Sequence, residues 1–109
     1  MKLNLYDIRG SIVKTDDRYI VKDNNSLNNL ILSSTSLNSN KSTSGHKHEG
    51  QEEIYFFIRG DATMQIDDDH FNVAEGDIVL IEDGKFHRVF AKDKGCYFVC
   101  VFDGRRNHS

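Results

Sequence analysis

Proline is absent from the chain, so every turn must be made by Gly, Asn, Asp or Ser. Cysteine is scarce: Cys96 and Cys100 are the only two, inside CYFVCVF. If that run is a strand, they lie on one face about 13 Å apart. A disulfide needs Cα atoms within about 7 Å, so an unbroken strand keeps them as two small buried hydrophobes. That usage fits a reducing compartment. A basic excess is also missing. With 14 Lys and Arg against 17 Asp and Glu, the formal net charge is −3, which carries no nucleic-acid footprint. No apolar run approaches the ~20 residues of a membrane span, and the opening MKLNLYDIRG lacks the apolar core of a signal peptide. The expectation is a cytoplasmic protein that engages neither nucleic acid nor membrane.

Long stretches of helical periodicity are missing too, and what remains reads as short strands. SIVK and RYIVK are separated by TDD. NLILSSTSL follows the Asn-rich DNNSLNN. SLNNLILSS is ambiguous, because Leu27, Leu30 and Ile31 fit a helical turn while Leu30 and Leu32 fit one face of a strand. NSNKSTSG is linker-like in composition but reads as a loop, or a loop leading into a strand. From residue 53 the pattern sharpens. EIYFFIRG ends at Gly60 and Asp61, and ATMQI ends at DDDH. FNVAEGD, IVLIED, FHRVFA and CYFVCVFD follow, with GK and DKG as turns. Regularly spaced short strands with Gly and Asp turns predict an all-β sandwich or barrel. A chain of 109 residues is long enough for one core. Alternation leaves open which face of EIYFFIRG is buried, since Tyr55 and Phe57 share one face and Ile54, Phe56 and Ile58 the other. Coverage on both sides is expected, as in a small barrel that packs on a second subunit.

Two of the five histidines fall in GHKHEGQEEIYFFIRG. His46 and His48 are i and i+2, which in a strand puts both imidazoles on one face, near enough to share an ion. A strand starting at Glu52 or Glu53 can return beside them with a carboxylate. His87 follows the strand DIVLI and the turn EDGK and could add a third nitrogen from across the barrel. Three imidazoles and a carboxylate suit Mn, Fe, Ni, Zn, Co or Cu. Of the other histidines, His70 reads as a turn residue and His108 as part of a frayed tail. Asp67, Asp68 and Asp69 lack the spacing of a calcium loop.

The spacing resembles that of the cupin superfamily. In this sequence His46-Lys-His48 is followed by four residues, Glu53, six residues and Gly60, as in the first cupin motif. Gly76 is followed by five residues, Glu82-Asp83-Gly84, two residues and His87, as in the second. Three positions depart from the pattern: Asn40 stands for the leading glycine, Glu82 for the proline and Ala91 for the final asparagine.

The resemblance implies a double-stranded β-helix, or jelly-roll barrel, forming one domain over residues 1–109. Residues 1–40 would give N-terminal strands, 46–91 the two motifs and 96–102 a closing strand. It implies His46, His48, Glu53 and His87 as metal ligands, and it selects Glu53 over Glu52. That choice turns Tyr55 and Phe57 inward and leaves Ile54, Phe56 and Ile58 outside. Small cupins of this kind are similar to proteins labelled mannose-6-phosphate-isomerase-like, and are commonly homodimers. The implied activity is that of an isomerase or epimerase acting on a sugar or other small oxygen-rich molecule through the bound divalent metal. Tyr55 is then the candidate to move the proton, against a plain core role. Lys85, Arg88, Arg59, Arg105 and Arg106 are candidate contacts for an anionic group. An Fe-dependent dioxygenase or a lyase would use the same ligands. A non-enzymatic carbohydrate- or small-ligand-binding cupin is the remaining alternative.

Overall fold

The computed structural model describes residues 1–47 and 49–104. His48, Arg105, Arg106 and His108 therefore lie outside the described residues. Eight strands follow in order: β1 (Ser11–Thr15), β2 (Tyr19–Asn24), β3 (Leu30–Leu37), β4 (His46–Lys47), β5 (Glu53–Ile66), β6 (Asp69–Val73), β7 (Ile78–Ile81) and β8 (Phe86–Asp103). All pairings are antiparallel. The ambiguous stretch resolves as strand β3, whose Leu30–Leu37 ladder pairs with both β2 and β8.

Two long strands build the jelly roll. The sequence suggests breaks at Gly60-Asp61 and at DKG, yet β5 and β8 each run through the expected break. They do so because a strand can bend at a bulge without ending. Register shifts fall between Phe57 and Arg59 and between Gly60 and Ala62. The N-terminal half of β5 pairs with the C-terminal half of β8, between β7 on one side and β3 on the other. Beyond the bend, the C-terminal half of β5 pairs with the start of β8, between β6 and β4. One pair of strands thus takes part in both faces, and the bend folds one face over the other.

The interior is divided by chemistry. Phe57, Met64, Val89, Cys96 and Phe98 are fully enclosed and form the apolar part. Phe98 stacks on Tyr55 with ring centroids 5.2 Å apart. Burying several such side chains at roughly 1.5–3 kcal/mol each is the main favourable term. Toward the β4 side the buried residues become polar: Ser33, Thr35, Glu53 and His87. Both cysteines are buried and do not form a disulfide with each other, as the strand geometry requires. Burial pushes the Cys96 thiol up to about 12, so it stays protonated at neutral pH. Tyr55 and Phe57 point inward while Ile54 is exposed and Phe56 and Ile58 are half-buried. Ile58 is covered by the chain's own N-terminal segment, in a cluster with Ile8, Tyr97 and Val99.

Candidate metal centre

Each described candidate ligand arrives on a different element. His46 is the first residue of β4 and lies opposite His87 in the β4–β8 register, with ring centroids 4.6 Å apart and edge-on. Glu53 opens β5, opposite Ile81 of β7 and Phe102 of β8. The approach to His87 is fixed by the acidic turn before β6. Asp67 N–H donates to Phe86 O at 2.8 Å, and Phe86 N–H donates to Asp67 Oδ1 at 3.0 Å. Lys85 Nζ lies 3.4 Å from the other Asp67 carboxylate oxygen. The Phe86 amide, with Lys85 adding to it, holds the Asp67 carboxyl below its ordinary range. DDDH therefore acts as a hairpin that latches the strand carrying His87, and His70 sits exposed in β6 opposite Gln65.

His46, Glu53 and His87 bring one ligand atom each within 4.8 Å of one another. Glu53 and His87 are almost fully buried, with side-chain exposures of 6% and 2%, and Glu53 Oε1 lies 3.1 Å from His87 Nε2. His87 Nδ1 is 3.3 Å from the carbonyl oxygen of Lys85, which can only accept, so the tautomer with its proton on Nδ1 is the one that satisfies this pair. Nε2 then presents a lone pair toward a carboxylate oxygen. Two acceptors at that separation require a cation or a proton between them. In octahedral geometry, metal–ligand bonds of about 2.1 Å place adjacent ligand atoms about 3.0 Å apart, close to the Glu53–His87 spacing of 3.1 Å. The group can hold a divalent ion on its donor types, its burial and its spacing. Glu52, the carboxylate not selected, is exposed.

His46 and Glu53 line a cavity of about 40 Å³, together with Tyr55, Ser33, Thr35 and Lys14. The Tyr55 ring meets His87 edge-on, with centroids 5.7 Å apart. None of the described basic candidates lines this cavity. Lys85 is engaged with Asp67. Arg88 donates from Nε to Thr43 O at 2.8 Å and stacks on Phe90. Arg59 lies in a groove on the outer face with Lys22 and Tyr97. The cavity cation is Lys14, which the sequence reading did not single out.

The departures from the motif have local explanations. Asn40 has φ 58°, the left-handed conformation that glycine adopts freely and asparagine tolerates. Glu82 is exposed and its carbonyl closes the turn to Lys85 N–H at 3.3 Å. Ala91 is buried and its N–H donates to Lys41 O at 2.9 Å.

The cupin-domain family model matches residues 35–102, more than half of the 109 residues. The chain belongs to the cupin family. Solved structures with the same fold include KdgF from Halomonas sp., with a TM-score of 0.79 and 14% identity over 89% of this chain and 88% of that one. An RmlC-like cupin from Shewanella frigidimarina gives a TM-score of 0.79 and 12% identity, covering 91% and 87% of the two chains. Bacillus subtilis oxalate decarboxylase gives 0.80 and 21% identity, covering 98% of this chain but 30% of that one. Comparison with curated proteins finds no match.

Proposed function

We propose that His46, Glu53 and His87, joined by His48, hold a divalent transition metal, and that the protein acts on a compact oxygen-rich molecule as an isomerase or epimerase. The observation that carries this reading is the convergence of the three candidate ligand atoms within 4.8 Å of one another, with His46 and Glu53 lining a cavity that Ser, Thr and Tyr side chains also line. A bound ion would supply Lewis-acid polarisation of a carbonyl and stabilise the charge that develops on its oxygen. The chain supplies the rest. Ser33 and Thr35 offer hydroxyls that can orient substrate oxygens, and Phe98 with Val21 keeps one wall dry. Tyr55, held by stacking on Phe98, is the proposed proton carrier through its phenolic oxygen. A sugar or sugar acid would place one end, rather than its whole ring, in a space of about 40 Å³.

The test is turnover by metal-loaded protein on small aldoses, ketoses and their acids, beside a Tyr55→Phe variant. Loss of a general acid–base costs roughly 10²–10⁴-fold, so Y55F should lose turnover to that extent and keep its metal. A Y55F protein with wild-type turnover would remove the role of Tyr55. The small cavity also favours a second reading, a lyase or dioxygenase acting on a compact acid; the Bacillus subtilis protein of the same fold is named a decarboxylase of such an acid, oxalate. Iron content with oxygen uptake, or release of carbon dioxide, would select it. Binding of small ligands with no turnover of any substrate would instead favour a carrier or sensor.

We also propose that two copies pair through the outer face of β5 and β7. Ile54 lies opposite Leu80, and Phe56 opposite Ile78. Ile78 and Leu80 are 60% and 69% exposed, so with Ile54 and the half-buried Phe56 they form an apolar surface that the described residues leave partly open. Exposed apolar surface of this kind marks an interface. Light scattering should give twice the chain mass for the wild type and the single-chain mass for Leu80→Asp. A monomeric wild type would refute the pairing.

A further inference from the structure

The geometry points to Lys14 as the residue that selects a carboxylate on the substrate. This inference rests on the reading of the cavity as the substrate site. In β1 the usual arrangement is inverted: Ile12 and Val13 are 55% and 43% exposed, while Lys14 alone in the strand is half-buried. A bulge causes the inversion. Ile12 pairs with Lys22, but Lys14 pairs with Val21, so Val13 is the extra residue. Directly opposed residues of an antiparallel pair project to the same face, and Val21 is a buried core residue lining the cavity. Without the bulge Lys14 would oppose Ile20, which lies in the outer groove. The bulge thus turns Lys14 toward the inner face, a use of bulges common beside functional sites.

Charge and size then define the ligand. Among the described residues lining the cavity, Lys14, His46 and Glu53 are the Lys, Arg, His, Asp and Glu residues. With a divalent ion on Glu53 and the two neutral histidines, Lys14 leaves the cavity with net positive charge, which favours an anion. The volume of about 40 Å³ corresponds to about three water-sized spaces, which suits a few non-hydrogen atoms. Lys14 also borders the open outer groove formed with Thr15, Asp16 and Arg18. It therefore stands at the entrance, where it would hold a carboxylate while the neighbouring carbonyl or hydroxyl oxygen reaches the His46–Glu53 side. A compact 2-oxo or 2-hydroxy acid, or the acid end of a sugar acid, has this arrangement.

The probes are pyruvate and its neutral counterpart pyruvamide, titrated by calorimetry into wild type, Lys14→Gln and Lys14→Arg, with metal content of each measured by elemental analysis. Wild type should bind pyruvate more tightly than pyruvamide. K14Q should weaken pyruvate by about tenfold or more, leave pyruvamide unchanged and retain its metal, while K14R keeps most of the pyruvate affinity. Equal pyruvate binding by wild type and K14Q, a parallel loss of both probes in K14Q, or no pyruvate binding by wild type would each overturn the assignment. Failure of the metal reading shows separately, as a wild type that takes up no metal. The same comparison of the two probes is then made on the metal-free chain and decides on Lys14 by the same outcomes.

Discussion

Gly60→Ala is expected to destabilise the fold by about 3 kcal/mol, combining roughly 1–2 kcal/mol for a left-handed backbone with overpacking of similar size. Gly60 has φ 82°, and a Cβ there would overlap the carbonyl oxygen of Gly95 and come within 2.9 Å of Cys96 Cα. Both obstacles are backbone atoms of the partner strand, so neither can swing aside. The position matters because Gly60 sits between the two register shifts of β5, where the strand turns from one face to the other. The comparison is Gly76→Ala, where φ is 94° but no heavy atom lies within 4 Å of the added Cβ. It should cost only the conformational part. Chemical denaturation of both variants checks this. Equal losses would show that packing at the β5 bend contributes nothing.

His87→Ala should abolish stable metal binding, lowering the metal content from near one ion per chain to background in protein purified without a nickel column. His87 is the most enclosed of the three described candidate ligands, and its orientation is set by Lys85 O and the Asp67 latch. Loss of one of a few ligands typically weakens a site by orders of magnitude, since even altering a supporting group costs roughly 10–100-fold. Folding should survive better than binding does. The substitution removes a polar ring from beside a buried carboxylate and opens space that water can enter. Elemental analysis with a thermal melt distinguishes the two effects. A folded H87A protein with wild-type metal content would exclude His87 from the centre.

Much of this molecule is legible in the sequence, and the reasons are local. The motif spacing places Glu53, rather than Glu52, at the buried position, and the inward side of Tyr55 and Phe57 follows by alternation. The juxtaposition of His46 and His87 is legible for the same reason. Strand continuity is not. Gly60-Asp61 and Asp93-Lys94-Gly95 carry turn chemistry, but long-range pairing between β5 and β8 keeps both strands running through bends. Lys14 is hidden for a related reason. A bulge shifts register by one residue and reverses which side chains face inward, and SIVK contains no mark of it. The role of Asp67 is similarly invisible, because its partner Phe86 lies 19 residues away in the chain.

The most direct test of the central claim is a crystal of protein grown without added metal, measured at the absorption edge of the ion found by elemental analysis. The account predicts one anomalous peak about 2.0–2.2 Å from ligand atoms of His46, Glu53 and His87, with His48 as the fourth ligand. Stoichiometric metal located elsewhere, or ordered water alone among these three side chains in a metal-supplied crystal, would contradict it.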